Sequence, residues 1–501
     1  MTDESTSAVS PWSRAACFLA VVAIGIAASI VAAQYGDPTL KKLIKSGMLL
    51  TLVGAIVVTR HPKRVLLFTW VVALSYNRQY YSFDTILGNN GSQGLYWIPA
   101  DALFAALLAI WVYERVMLNR RQAALSRPVW PWMTPYLAAC LASSLASEHM
   151  NWGFSEVARL LKFGLILLYF RFNVRKEEWW ILVAAFGFTI LVQSTLGVFQ
   201  VLFNLGSTLT SLVSEGEFQH RAVNVLGSQR RRASGTLFTP NFLGPYLLLV
   251  VPIFLGLMLT ARHIVLRVLC GVVTISGLVG IAFTLSRMPW AVIVFELSML
   301  FICLTWWGVV KVKRSVGLLF VYLFLAVVAM LPYAKPIYDR FVGNFKESLD
   351  FRTEYNQIAL DMWYEGPLLG IGLNHHTREL ASHDKGMADL HSEWEQHRRT
   401  THTRADAPVH NLFLLILSET GLLGFLGFLL VIGGTIWIGV RAAAQTQGVW
   451  CAVCLALVVA VIGQMIQQTM DFSLWVDPGY YTFAIMIGML NLAPALAESP
   501  E

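Results

Sequence analysis

Charged residues are scarce in this sequence. They make up 13% of its 501 residues, about half of the roughly 25% that soluble domains carry. Hydrophobic residues reach 56% and stand in long blocks, many of them near the roughly 20 residues that a membrane-crossing helix needs. The composition excludes an ordinary soluble enzyme and indicates a polytopic membrane protein.

Cysteine is also scarce, and it never occurs in a polar segment. All six cysteines lie in apolar runs, where a disulfide or a zinc site would be unusual. Cys451 and Cys454 have CxxC spacing, but on a lipid-embedded helix we interpret them as small packing residues. The sequence also lacks a glycine-rich nucleotide loop or a paired-aspartate motif on a soluble domain, which argues against a nucleotide-sugar transferase.

About fourteen apolar runs predict an all-α fold, a polytopic membrane helix bundle of about 12 to 14 transmembrane helices. We divide the chain into N-terminal scaffold helices (1–203), helices with arginine-bearing outer segments (204–332), one large extracytoplasmic loop (333–409) and C-terminal helices (410–501). The predicted spans are Cys17–Ala33, Gly47–Val58, Val65–Tyr76, Ile98–Met117, Trp132–Ala146, Val157–Phe170, Trp179–Phe203, Pro240–Thr260, Ile264–Phe283, Met288–Trp307, Val316–Leu331, His410–Val440, Val449–Met470 and Tyr480–Leu492.

The basic residues predict the orientation of these spans. With a cytoplasmic N-terminus, six basic clusters face the cytoplasm, as the positive-inside rule requires. Topology thus explains most of the net charge of +7, and we expect no nucleic-acid partner. The clusters are Arg60–Arg64, Arg115–Arg127, Arg171–Lys176, Arg262–Arg267, Lys311–Arg314 and Arg441.

A further basic cluster, Arg221 and Arg230–Arg232, falls on the outer side, in the segment 204–239. Anionic lipid attracts such a cluster, but guanidinium groups also match phosphate oxygens bidentately. Thr239-Pro240 predicts an N-cap and the first residue of a helix, whose positive dipole end then lies directly after the arginines. These features favour a phosphate-binding region.

Arg287 lies in a short turn between two apolar runs. An arginine that close to hydrocarbon is costly unless it is paired, and such residues are functional candidates. Snorkelling to lipid phosphates is the alternative.

The outer loop contains six of the eleven histidines. They lack the HExxH and zinc-finger spacings, so we expect no metal site. Within the loop, residues 350–363 have helical periodicity and predict an amphipathic helix, capped by Asp350 and ending before Gly366, with Arg352 at the border of its apolar face. In an earlier outer loop, Glu148, His149 and Glu156 are interpreted as solvated surface.

The most specific motif begins where the outer loop ends. His410-Asn411 is followed by Gly421-Leu422-Leu423-Gly424, whose glycines would allow close helix packing. The whole string resembles the signature of the O-antigen ligase and O-antigen polymerase superfamily, bacterial enzymes that transfer glycans from a polyprenyl pyrophosphate carrier. Further similar stretches, in the same order, extend the resemblance over about 230–428: they are Arg232-Ala233-Ser234-Gly235-Thr236 with Pro240-Asn241, Ser286-Arg287, Arg352, and Gly366 to Gly372.

The resemblance implies that His410 is the essential histidine and that Arg287 and Arg352 are the two essential outer arginines. At Arg352 the ligase pattern of a leucine four positions later is not met, because Asn356 stands there. The predicted substrate-binding residues are Arg232, Asn241, Ser286 and Asn411.

A mechanism follows from these residue types. Arginines can stabilise the charge that develops on a pyrophosphate leaving group, and a neutral histidine at a helix start can act as general base towards an acceptor hydroxyl. Direct displacement inverts the anomeric centre and needs no metal or other cofactor.

The implied partners are a polyprenyl-pyrophosphate-linked glycan donor, a glycan or lipid A core acceptor, membrane lipid and other proteins of envelope polysaccharide assembly. The implied location is the bacterial cytoplasmic (inner) membrane, with the site on the extracytoplasmic side.

Several functions remain open from the sequence. The motif does not separate a ligase from a polymerase or from a protein O-glycosylating enzyme. A lipid-linked oligosaccharide flippase is an alternative of another class, and a non-catalytic envelope protein is a third. A flippase should place charges along the interior of its spans, where this sequence has few beyond Glu296 and Arg159 with Lys162.

Overall fold

The computed structural model describes most of the helical bundle. The first two predicted spans, all of the eleventh except 317 and 320, and residues 384–407 of the outer loop lie outside the described residues. Those described are 59, 61–76, 80–83, 95–119, 124–203, 223–225, 228–230, 232–237, 239–311, 317, 320, 338, 345–383 and 408–498.

The described elements are almost all helical, and they occur in chain order as follows: α1 (Pro62–Leu74), β1 (Tyr80–Phe83), β2 (Leu95–Trp97), α2 (Pro99–Val116), α3 (Trp130–Ala146), α4 (Met150–Asn173), α5 (Lys176–Leu202), β3 (Val223–Val225), β4 (Ser228–Arg230), α6 (Pro240–Thr260), α7 (Ile264–Phe283), α8 (Arg287–Trp306), α9 (Phe345–Glu365), α10 (His376–His383), α11 (Leu412–Gln445), α12 (Gly448–Gln468), a 3-10 turn (Ser473–Trp475) and α13 (Asp477–Glu498).

Seven of the described helices are long and apolar enough to cross a membrane, namely α5, α6, α7, α8, α11, α12 and α13. The predicted all-α polytopic membrane bundle is therefore confirmed. The predicted total of 12 to 14 spans stays a prediction, because part of the chain lies outside the described residues.

Helix α6 lies at the centre of the bundle. Its residues from Leu243 to Leu259 are buried on every side, as expected of a helix that is apolar all round. Gly256 lets the backbone of α12 approach, since a Cβ there would lie 3.1 Å from the Ala452 carbonyl oxygen. Small residues commonly permit such contacts between membrane helices. Helix α7, by contrast, exposes apolar side chains such as Val265 and Leu269, as a lipid-facing helix does.

Two antiparallel hairpins, β1–β2 and β3–β4, interrupt the helical pattern. Period-2 alternation over three or four residues is too short to be distinguished in the sequence, and neither hairpin was predicted. The stretch Asn89-Asn90-Gly91, whose residue types are typical of a turn, lies between β1 and β2, outside the described residues.

Helix α9 is the predicted amphipathic helix. Tyr355, Ile358 and Met362 are buried on one face, and the helix ends at Glu365 as predicted. The predicted cap at Asp350 is wrong, because the helix begins at Phe345 and Asp350 lies inside it. The apolar face packs against α11, which places α9 beside the helix that His410 precedes.

Candidate active site

The segment after the outer basic cluster is held by two glutamines of α5. The side-chain oxygen of Gln200 accepts from the backbone N–H groups of Ser234 and Gly235, at 3.1 and 2.9 Å, and that of Gln193 accepts from Thr236 N at 2.8 Å. Gly235 has φ +58°, and a Cβ there would lie 2.2 Å from the Gln193 side-chain oxygen. The Arg-Ala-Ser-Gly-Thr string is therefore a turn fitted to α5.

Arg232 and Asn241 contact each other. Arg232 Nε donates to the Thr284 carbonyl oxygen at 2.7 Å, and Nη2 donates to Asn241 Oδ1 at 3.1 Å. Thr284 ends α7, and a cation there complements the carbonyl dipoles of a helix C-terminus. Arg232 thus joins the start of α6 to the turn that carries Ser286 and Arg287.

Ser286 and Arg287 open helix α8. Ser286 occupies the N-cap position with an extended backbone, and Arg287 is the first helical residue. Its side chain is half-buried and lies close enough to Arg352 for the two positive charges to repel each other. Two arginines from different elements therefore add their positive potential in one place.

Asp471 was not singled out in the sequence, but it belongs to this group. The residue follows α12 and is 4% exposed. Its carboxylate accepts from the backbone N–H of Phe472 at 2.8 Å and from Gln467 Nε2 at 3.4 Å, and it interacts with the Arg352 charge. The sequence signal that could have identified it is a run of polar side chains at a helix end, Gln467, Gln468 and Asp471.

Burial sets the electrostatics of the Arg352 and Asp471 pair. Burial raises the pKa of the Asp471 carboxyl to about 7, although the Arg352 charge and the hydrogen bonds oppose the shift. Burial also lowers the pKa of the Arg352 guanidinium, against the pull of Asp471. A carboxyl of this kind can change its charge near neutral pH, and the potential at Arg352 changes with it.

His410 lies against the same loop. Its ring meets the Phe472 ring edge to face, with centroids 5.4 Å apart, and Phe472 also packs edge to face on Phe242 at 6.2 Å. The backbone N–H of Leu412 donates to the Asp471 carbonyl oxygen at 3.0 Å. The Asp471-Phe472 pair thus connects His410 with Arg352 on one side and with the start of α6 on the other.

Asn411 is the N-cap of α11. Its Oδ1 accepts from the backbone N–H groups of Phe413 and Leu414, at 3.1 and 3.3 Å, which is the usual work of asparagine at this position. His410 therefore precedes the helix by one capping residue, at the helix start that the sequence predicts.

The two glycine motifs interlock at a break in α11. Gly421 has φ +62° and ψ −166°, so the helix opens there. The backbone N–H groups of Ile371 and Gly372 donate to the freed carbonyls of Ser418 and Glu419, at 3.0 and 3.1 Å. In the other direction, Leu422 and Leu423 donate to the carbonyls of Pro367 and Leu368, at 2.9 and 3.2 Å. A Cβ at Gly421 would lie 2.3 Å from the Leu368 carbonyl carbon.

This arrangement gives the glycines a function that the sequence did not reveal. The close helix contact expected at Gly421 and Gly424 occurs further along α11, where Gly427 lies against Tyr136 and Gly434 against Trp132 of α3. Gly421 instead admits the Gly366–Gly372 segment, and this contact fixes the end of α9 against α11.

The interpretation of Glu156 as solvated surface is wrong. Glu156 is 4% exposed and accepts two hydrogen bonds from Arg159 Nη1, at 2.7 and 2.8 Å. Arg159 also pairs with Asp477 at 3.2 Å and donates to the Trp475 carbonyl oxygen at 2.6 Å. A carboxylate eight residues after the exposed Glu148 can be buried because its partner Arg159 lies on the next turn of the same helix.

The structure brings all seven predicted site residues to one end of the bundle, where α7 ends and α6, α8 and α11 begin. Their roles stay predictions. Within the described residues, no group of three or more His, Cys, Asp or Glu side chains could hold a metal ion, and metal-independent transfer likewise stays a prediction.

Comparison with known proteins gives one family. No curated protein matches the chain. Residues 272–429 match the protein family described as O-Antigen ligase, and this range contains Arg287, Arg352, His410 and both glycine motifs. The motif string and the family match therefore agree: the motif-bearing part of this membrane protein is similar to the O-antigen ligase and polymerase superfamily.

Proposed function

We propose that this protein is a membrane-embedded glycosyltransferase of the O-antigen ligase type. It moves a glycan from a polyprenyl pyrophosphate carrier to an acceptor hydroxyl on the outer face of the inner membrane. The observation that carries the proposal is the Asp471-Phe472 loop, which interacts with Arg352 by charge and with His410 by ring contact. Cations and a histidine from separate helices thereby converge.

The donor pyrophosphate binds Arg287 and Arg352 in this proposal. Two guanidinium groups whose charges repel each other gain stability when a dianionic group lies between them. Each can form two parallel hydrogen bonds with phosphate oxygens. Both are partly buried, which strengthens the interaction relative to bulk water.

His410 acts as the general base. Its imidazole takes the proton of the acceptor hydroxyl while that oxygen attacks the anomeric carbon of the donor. The bond between this carbon and the phosphate oxygen breaks, and the pyrophosphate leaves with the electron pair under the stabilising field of the arginines. Attack opposite to the leaving group inverts the anomeric centre.

Arg232 and Asn241 serve this site indirectly. Because Arg232 donates to Thr284 and Asn241, the two side chains fix the turn that presents Ser286 and Arg287. Asn411 caps α11 and so fixes the direction of the residue before it.

Replacing His410 with alanine tests the proposal. Loss of a general base costs about 10²- to 10⁴-fold in rate, while the arginines still bind the donor. His410→Ala should therefore fold, bind the polyprenyl pyrophosphate donor and transfer poorly in a reconstituted assay with defined donor and acceptor.

The pH dependence provides the control for this variant. The parental rate should fall as the pH drops and the His410 imidazole takes up a proton, and the residual activity of His410→Ala should lack that decline. Parental turnover in His410→Ala would refute the mechanism and leave a flippase as the better hypothesis.

Glycan analysis of a deletion strain separates the possible reactions. Accumulation of long carrier-linked chains indicates a lost ligase, whereas short repeats attached to lipid A core indicate a lost polymerase. Unchanged lipopolysaccharide with altered glycoproteins would favour protein O-glycosylation.

A further inference from the structure

His376 is a buried histidine that the proposed mechanism does not use. It is the first residue of α10 and has no exposed surface. Its backbone N–H donates to Glu419 Oε1, and its ring contacts Ser418 Oγ through Nδ1 and the Val409 backbone nitrogen through Nε2, each at 3.2 Å. Nε2 therefore contacts the backbone of the residue directly before His410.

The contacts determine the protonation of the His376 ring. The Val409 backbone nitrogen can only donate, so Nε2 must be the acceptor. The ring proton then lies on Nδ1 and is donated to Ser418 Oγ, which in turn donates to the Leu415 carbonyl oxygen at 3.0 Å. His376 is a neutral imidazole in a single tautomer, with every hydrogen-bonding atom satisfied.

The ring joins two separately anchored parts of the chain. On one side, His376 follows the Gly366–Gly372 segment, which is bonded to the opened backbone of α11. On the other side, Val409 directly precedes His410, and beyond His410 the chain is fixed by the Asn411 cap and by the bond from Leu412 to Asp471. The hydrogen bond from the Val409 backbone nitrogen to His376 Nε2 ties the chain just before His410 to the bundle. Loss of the His376 ring would remove this bond.

We propose that His376 is a positioning residue, which holds the Val409 backbone so that the His410 imidazole meets the acceptor hydroxyl. The inference rests on the proposed function of His410. Proton transfer needs the base within hydrogen-bond reach of its proton, about 2.6 to 3.2 Å, and a misplacement of about 1 Å can cost about 100-fold in rate. The His376 side chain thereby connects the interlocked glycine motifs with the backbone next to His410.

A matched pair of variants tests which ring contact matters. In His376→Gln, the amide oxygen can take the place of Nε2 and accept from Val409. In His376→Asn, the amide reaches only the position of Nδ1, so the contact with Ser418 is kept and the one with Val409 is lost. Ser418→Ala is the control that removes the Nδ1 partner and leaves the Val409 contact.

The expected result is a loss of kcat by about 100-fold in His376→Asn, with the donor KM unchanged. His376→Gln and Ser418→Ala should stay within about threefold of the parental kcat, a difference small against that 100-fold loss. His410 remains the base in His376→Asn, so its residual activity should keep the decline at acidic pH that His410→Ala lacks. Hydrogen exchange at the Val409 amide should be accelerated in the asparagine variant alone.

Two outcomes would overturn the inference. One is parental kcat in His376→Asn, and the other is an equal loss in the asparagine and glutamine variants. If His410→Ala is inactive in the same assay, such a result rejects the positioning role while the proposed function stands. Parental activity in His410→Ala rejects the proposed function itself.

A measurement on the unaltered protein keeps the test independent of variant folding. Nitrogen NMR of histidine-labelled protein should show a buried neutral imidazole with its proton on Nδ1, and His376→Gln should remove this signal. A His376 proton on Nε2 would contradict the inference.

Discussion

Arg159 and Arg352 are two partly or fully buried arginines with opposite surroundings. Arg159 pairs with Glu156 and Asp477 and lies over the rings of Tyr96, Trp475 and Tyr480, at 5.0 to 5.9 Å. Among the described residues, Arg352 interacts with the Asp471 carboxylate and with a second cation, Arg287.

The difference separates a structural charge from a charge arranged for a ligand. Around Arg159, two carboxylates and an aromatic cage offset the free energy that desolvation of the buried cation costs. Around Arg352, a neighbouring cation raises the positive potential, and the carboxyl that opposes it has a pKa of about 7. An anionic ligand has more to gain beside Arg352 than beside Arg159.

The same substitution at both arginines should show most clearly whether their roles differ. Arg159→Met leaves the buried carboxylates of Glu156 and Asp477 without their cation, which should cost about 3 to 5 kcal/mol of folding free energy. Arg352→Met removes a repulsion with Arg287 and should change stability little while transfer is lost. Thermal unfolding and transfer rates of the two purified variants check both expectations, and an equal loss of stability would contradict the distinction.

Lysine variants test whether Arg287 and Arg352 act through the bidentate geometry of the guanidinium group. Each of Arg287→Lys and Arg352→Lys keeps the charge and loses the bidentate geometry. Transfer should fall by about 10²- to 10³-fold, as when one donor to a developing anion is removed. Arg262→Lys, at the opposite end of α7, is the matched control and should transfer at the parental rate. Parental turnover in both site variants would instead identify the arginines as lipid contacts.

Asp471 predicts a smaller, pH-dependent effect. Its pKa is raised from 3.8 to about 7 on folding, so the folded protein keeps a proton that the unfolded chain loses. The stabilisation is complete below about pH 4 and is lost as the pH rises through about 7. Asp471→Asn lacks this titration.

Unfolding midpoints of the parent and of Asp471→Asn, measured between pH 4 and pH 8, test this sign. The stability of the parent relative to the variant should decline as the pH rises. A difference that stays constant with pH would mean that Asp471 is a permanently charged partner of Arg352.

The sequence located most of the described helices, because its signals were local. Apolar runs predicted α6 and α7 at the bounds that the structure shows, and Thr239-Pro240 marked the start of α6. The sequence did not predict features that depend on contacts between distant parts of the chain. The burial of Glu156 depends on Arg159 together with Asp477, and the importance of Asp471 depends on Arg352, and only folding brings these groups together.

The sequence by itself determined that this is a polytopic membrane protein with the motifs of the O-antigen ligase superfamily, since hydrophobic length, helix-start residues and motif order are properties of contiguous chain. Only the tertiary structure decided how the motifs work together. The break at Gly421 exposes backbone groups that a distant segment must satisfy, and this contact joins α9 to α11. The electrostatic character of Arg159 and Arg352 was decided in the same way, because the energy of a buried charge depends on the groups that folding places around it.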